Sequence, residues 1–329
     1  MKKSYAVDVP VLIIFFTRYE QTRKVFEQVR KARPSKLYLY QDGARAGRED
    51  DVANIERCRS IVSDNNIDWE CEVHRLYQVK NYGCDPSEYI AQKWFFEDEE
   101  YGIVLEDDDV PSQSFFTFCK ELLERYKNND KINMICGMNN TGISDHIQES
   151  YLFTQKGSIW GWASWKRVID TWDGTYQWTE DAKKRDTIRK NATSINFDEW
   201  YKVVLQHKAS GRAHYESTNA ASMFLHDRVN IVPKYNMISN IGVSQESTHS
   251  VSDIRLLPKR TQKLMYMKTY EIKFPLIHPS HIEIDKTFEK KMTVGKVERF
   301  FIRIESFCRS LVFLGAKGTI KRIIKKVRK

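Results

Sequence analysis

The sequence predicts an α/β protein, a mostly parallel sheet flanked by helices, followed by basic amphipathic helices at the C-terminal end. Three observations predict it. Short apolar runs alternate with stretches of helical period over residues 1–137. Turn and capping residues fall between these runs. Residues 286–329 combine an apolar stripe with dense positive charge.

The elements follow in order. Val9 to Phe16 is an uninterrupted apolar run, as a strand buried on both faces requires. Thr17 and Glu20 form a capping-box pattern that opens a helix through about Arg33. Lys36 to Gln41 is the second strand, ended by the turn Asp42-Gly43. Apolar positions Val52, Ile55, Ile61 and Val62 mark a helix before a third strand, Cys71 to Leu76. After a loop with Asn81, Gly83 and Pro86, Ser87 caps a helix to about Phe96. Tyr101 to Leu105 is a strand that runs straight into Glu106-Asp107-Asp108-Asp109. A helix from Ser114 to Lys127 and a strand from Ile132 to Cys136 complete this half.

In such a sheet, ligands collect beyond the carboxyl ends of the strands, where Arg18, Asp42 and the acidic run all fall. The second half is less regular. Five tryptophans, Trp160, Trp162, Trp165, Trp172 and Trp178, crowd together, and a helix containing Trp200 begins near Phe197. Residues 254–288 read as wrapping or linking chain. The expected division is a catalytic unit, 1–253, with a nucleotide-binding half (1–137) and a sugar-binding half (138–253), then an extension, 254–329.

Composition narrows the class. At 329 residues, 41% hydrophobic and 29% charged, with 14 Gly and 8 Pro, the chain is neither collagen-like nor disordered. Six cysteines without a CxxC pair suit reduced intracellular thiols. The apolar run near the start is too short to span a bilayer, and no secretion signal is visible. The net charge is +9, yet residues 286–329 hold fourteen basic and three acidic residues, so the remainder is slightly negative. A nucleic-acid partner is therefore not expected. Walker-type, GxGxxG, HExxH and GxSxG strings are missing, which removes support for nucleotide-triphosphate hydrolysis, dinucleotide redox and serine-hydrolase chemistry.

Four consecutive acids at a strand end repel one another and raise one another's pKa. A hard divalent cation, Mn²⁺ or Mg²⁺, relieves that with oxygen ligands and leaves positions open for phosphates. The alternative is a solvated acidic turn at a helix start. Two tail stripes, Val297 to Val312 and Ile320 to Val327, are amphipathic and basic. They suit an anionic membrane surface or packing on the body.

The string Ile103-Val104-Leu105-Glu106-Asp107-Asp108-Asp109, with Pro111-Ser112 and Phe115-Phe116 behind it, resembles the acidic motif of GT-A-fold nucleotide-sugar glycosyltransferases. It is most similar to the bacterial family-2-like group and the N-acetylglucosaminyltransferase I type. Arg18, Gln41-Asp42, Trp160-Gly161-Trp162, Asp198-Glu199-Trp200, Ser239-Asn240-Ile241-Gly242-Val243 and Thr248-His249 follow in matching order, over residues 9 to 250. The resemblance implies a Rossmann-like fold. It implies Asp108 as the direct metal ligand, with Glu106 and Asp107 organising the nucleotide and the metal's water shell. Asp107 with Asp109 is the other reading of the motif.

The resemblance also implies Arg18 and Asp42 as nucleotide contacts, Asp198 as the catalytic base, with Glu199 as competitor, and His249 on the metal or diphosphate. Gly161 and Trp162 stand equally for a sugar pocket or for core packing. The expected activity is inverting transfer from a nucleotide-diphosphate sugar, a UDP-sugar, to a hydroxyl of a surface glycan or lipid-linked acceptor. The expected setting is cytoplasmic, peripheral on the inner membrane face. Competing readings are a metal-dependent phosphoryl-transfer or pyrophosphate-cleaving enzyme and a non-catalytic glycan-binding protein.

Overall fold

The computed structural model describes residues 2–243 and 253–327, with side chains to residue 322. In chain order the first half runs β1 (Val11–Phe15), α1 (Tyr19–Ala32), β2 (Lys36–Gln41), α2 (Glu49–Ile61), β3 (Glu72–Tyr77), α3 (Cys84–Asp98) and β4 (Tyr101–Glu106). It continues through β5 (Asp109–Pro111), α4 (Gln113–Arg125) and β6 (Ile132–Cys136). The second half adds β7 (Tyr151–Thr154), β8 (Trp162–Trp165), α5 (Lys166–Ile169), α6 (Ala182–Asn191), α7 (Phe197–Ala209) and α8 (Tyr215–Leu225). Then come β9 (Val229–Pro233), β10 (Ile238–Asn240), α9 (Lys259–Gln262), α10 (Lys286–Met292) and α11 (Lys296–Val327).

Eight strands form one sheet in the order β3-β2-β1-β4-β8-β6-β9-β7. The four strands β3, β2, β1 and β4 are parallel, as expected of the strand-helix alternation. β8 enters antiparallel between β4 and β6, while β6 and β9 pair in parallel and β7 closes the edge antiparallel to β9. The tryptophan-rich stretch therefore supplies an inner strand. Its irregular appearance in sequence comes from strands that return from distant parts of the chain, without the local period of a repeated βα unit.

All five residues of β1 are buried, so the run is apolar on both faces. Ile13 and Phe15 pack with Val25, Val29 and Phe118 on one side. Leu12 and Ile14 pack with Ala91, Phe95 and Trp162 on the other. Burying each such side chain contributes roughly 1.5–3 kcal/mol, which fixes the register of the central strand. A third cluster, including Trp178, Ile188, Phe197, Val204 and Phe224, holds α6, α7 and α8 together beside the sheet.

Two helix starts differ from expectation. Arg18, with no side-chain cap, precedes α1, so the Thr17–Glu20 capping box does not form. Gly83, at φ 86°, precedes α3, and Ser87 lies inside its first turn. Packing continues across residue 253: Ile272 and Leu276 join the main core, Phe288 joins the opposite one, and Glu271 accepts from the N–H groups of Gln113 and Ser114 at the start of α4. Residues 254–285 wrap the body. No helix among the described residues is long and apolar enough to cross a membrane.

Candidate functional site

Strand register brings the predicted acids and Arg18 to one sheet edge. Ile14 pairs with Glu106 and Phe15 with Gln41, so the chain leaving β1, β2 and β4 emerges at the same level. Gln41 ties two of these ends together, its Nε2 donating to the Phe16 carbonyl at 2.8 Å. A cleft of about 210 Å³ opens there, lined among others by Phe16, Arg18, Tyr40, Glu88, Glu106 and Asp107.

The acidic turn is clamped from two sides. Arg18 donates from Nε to Asp107 Oδ2 at 3.3 Å and from Nη1 to Asp108 Oδ2 at 2.8 Å, and its Nη2 also meets Asp107 Oδ1. From the other side β10 pairs antiparallel with β5, setting Asn240 opposite Asp109. Asn240 Nδ2 donates to Asp108 Oδ1 and Asp109 Oδ1, both at 3.2 Å. Gly242 lets the chain pass close to the turn, because a Cβ would stand 2.0 Å from Asp108 Oδ2 and require that carboxylate to move.

Asp109 is fully buried and accepts from Gly161 N at 2.8 Å as well as from Asn240. Its carboxylate braces the turn from inside. Gly161, at φ 62°, supplies that N–H where a Cβ would strike Ile238 at 2.5 Å. Its N–H thereby supports the acidic turn. Trp162 is likewise core: it is 2% exposed and stacks on Phe96 at 6.3 Å. Asp42 accepts from Gly43 N, Tyr82 N, Gly83 N and Asn81 Nδ2 at 2.8–3.0 Å. These four donors hold the Asp42 carboxylate at the cleft, which it lines, and fix the loop of residues 81–83 against the end of β2.

Charge at this edge is unbalanced. Burial pushes Glu106 and Asp109 well above the carboxylate range, and neighbouring acids push in the same direction. Burial also raises Asp108, against the pull of Arg18. Glu88, on α3, is pushed up to about 8, first by burial and then by Glu216, Asp85 and Asp108, with the Cys84 thiol donating to it at 3.1 Å in opposition. Burial works against the charge of Arg18, but Asp107 and Asp108 outweigh it and hold its pKa well above normal. Of these acids only Asp107 and Asp108 are paired with Arg18, and carboxylate oxygens are the donor set a hard divalent cation takes.

The acids continue along α3 and α8. Tyr215 donates its hydroxyl to Glu106 Oε1 at 3.2 Å. The next residue, Glu216, is exposed and forms with Asp85 and His214 a group whose ligand atoms lie within 4.8 Å of one another. Glu216 also borders a second cavity of about 470 Å³, lined with Gln155, Ser158, Trp160 and Asn230. Carboxylates thus run from the first cleft to the mouth of the second.

No protein-family model matches the chain, and no curated protein matches it. Among solved structures, an apo UDP-glucose pyrophosphorylase superposes with a TM-score of 0.38 at 8% identity, over 70% of this chain and 93% of that one. A UDP-glucose pyrophosphorylase complexed with UDP-glucose gives 0.33 at 9% identity, over 70% and 91%. At these scores the likeness decides neither family nor reaction.

Asp198 lines neither cavity. It stands in the first turn of α7, its side chain 70% exposed and paired with Arg189 at 3.0 Å. Glu199 pairs with Arg299 of the C-terminal helix. The third cluster turns the buried face of α7 toward Ile188 and Phe224, which leaves both acids on the outside. His249 lies outside the described residues. Sequence reasoning passed over Glu88, Tyr215 and Glu216. The one local signal, an acid in the first turn of a helix after His214, is common to many helices.

Proposed function

We propose that the chain is a metal-dependent inverting glycosyltransferase. It moves a sugar from a nucleotide-diphosphate donor, a UDP-sugar, to a hydroxyl of a surface glycan or lipid-linked acceptor. The observation that carries the reading is the acidic turn at the strand ends, clamped by Arg18 and Asn240, with Glu106 and Asp107 lining the first cleft and Glu216 bordering the second cavity.

On this reading the first cleft takes the nucleotide and the second the acceptor, with residues 1–137 forming the donor half and 138–253 most of the sugar half. Asp108, with Asp107, holds Mn²⁺ or Mg²⁺. When bound, the cation supplies positive charge for the departing diphosphate. Arg18 adds its own charge to the same oxygens, and Arg45, held by buried Asp51 at 2.6 Å, offers a second guanidinium at the cleft.

Glu216 is the general base, in place of Asp198. Its carboxylate accepts the acceptor hydroxyl proton as that oxygen bonds to the sugar's anomeric carbon. The bond from that carbon to the diphosphate breaks on the opposite face, and its electron pair leaves on the diphosphate. Glu106 is anchored by Tyr215 and holds the nucleotide side of the turn.

Incubation with UDP-sugars, Mn²⁺ and simple glycoside acceptors tests the reaction. Glycosyl transfer releases UDP. Release of UMP with sugar phosphate would instead identify a pyrophosphate-cleaving enzyme.

A further inference from the structure

The long C-terminal helix is packed inside out. Its polar side faces the body: Glu305 accepts from Lys259 N at 3.0 Å, Arg309 donates to the Arg255 carbonyl at 3.2 Å, and Ser310 is buried. The helix breaks at Gly315, at φ 67° and ψ 179°. It then turns back far enough for Arg322 to reach Ser310 Oγ at 2.5 Å. Thr319 is buried in this turn.

The opposite side is apolar and open to solvent. Val297, Phe300, Phe301, Ile304, Phe307 and Leu311 recur three or four residues apart with Val312 beside them, and Phe300, Phe301 and Val312 are 61%, 62% and 75% exposed. A helix whose apolar stripe served to pack on the body would turn that stripe inward. An exposed apolar face of this extent on a soluble-type body marks a contact surface.

We propose that this face docks on an anionic lipid surface. Charge decides among possible occupants. Residues 286–329 carry fourteen basic and three acidic residues, and Lys296, Arg303, Lys317 and Lys321 are exposed on the same segment. A second copy meeting this face about a two-fold axis would bring one cationic segment against another. A bilayer of anionic lipid supplies both things the face lacks, acyl chains for the phenylalanines and phosphates for the cations.

The helix is too polar to span, so the contact is peripheral, with Phe300, Phe301 and Phe307 entering the acyl boundary and the lysines lying above it. The polar contacts with residues 255–260 keep the body attached while the apolar side is engaged. This inference is independent of the catalytic reading.

Flotation of the full-length protein with lipid vesicles tests it. The protein floats with phosphatidylcholine vesicles containing phosphatidylglycerol, stays behind with phosphatidylcholine alone, and is released by high salt. Replacing Phe300 and Phe301 by Ser weakens partitioning by about tenfold or more, with an unchanged melting temperature because both side chains are exposed. Failure to float with the anionic vesicles, or equal flotation of the double variant, overturns the proposal. So does a lipid-free dimer in sedimentation that the same two substitutions dissociate.

Discussion

The guanidinium of Arg18 closes on Asp108, with Nη1 2.8 Å from Oδ2, and grips Asp107 in the same fork. A side chain from the end of β1 thereby holds the two acids read as cation ligands at the end of β4. It supplies positive charge to a turn whose buried acids have too little.

Removing that charge leaves two buried carboxylates without their partner. Arg18→Met should therefore destabilise the metal-free protein by about 3 kcal/mol. Mn²⁺ should restore more stability to the variant than to the wild type. Urea unfolding with EDTA and with Mn²⁺ measures both effects.

Gly242→Ala would set a methyl group 2.0 Å from Asp108 Oδ2 as the site stands. The acid has to turn away, so cation affinity should fall by tenfold or more while the fold survives on its distant core. Titration with Mn²⁺ beside a thermal melt separates the two quantities.

Glu88 is pushed up to about 8 from the ordinary 4.5. In metal-free protein the native state therefore keeps a proton that the unfolded chain has already lost between these values. Stability should fall as pH rises from about 4.5 to 8. Glu88→Gln should flatten that slope and be the more stable protein at pH 8, as urea midpoints at pH 5 and pH 8 would record.

Glu216→Gln should lower turnover by about 10²–10⁴-fold with little change in donor affinity, as loss of a general base does. Asp198→Asn, on the outer face of α7, should turn over at close to the wild-type rate. Equal losses in the two variants would contradict the assignment of the base.

Trp162→Ala should cost about 3–5 kcal/mol, because the ring fills core between Phe96 and Trp172. Trp162→Phe should keep donor affinity, since the indole touches no cavity described above.

The end of the sheet that carries Arg18 and the acidic turn was legible because its parts are local. Each apolar run ends where its strand ends, and Arg18 and the acidic turn follow directly in sequence. Parallel pairing then does the rest. Asn240 and Gly242 were visible as a string, but their purpose depends on β10 pairing with β5 across more than a hundred residues. Glu216 is hidden for the same reason, since α8 is held at the site by packing against α6 and α3, which are distant in sequence. Asp198 is matched through its neighbours in sequence, while its exposure follows from the packing of Phe197 and Val204 into the third cluster. The tail's stripe was evident from spacing. Which side faces the body depends on contacts of Glu305 and Arg309 with residues 255–259 that no periodicity reveals.

The central claim is that the acids after Leu105 hold a cation for a nucleotide diphosphate. Calorimetric titration of UDP into the wild type and Asp108→Ala, each with Mn²⁺ and with EDTA, tests it most directly. The account predicts that Mn²⁺ tightens binding to the wild type by tenfold or more and leaves Asp108→Ala unaffected. Wild-type binding that is indifferent to Mn²⁺, or an Asp108→Ala variant that keeps the full metal effect, would contradict it.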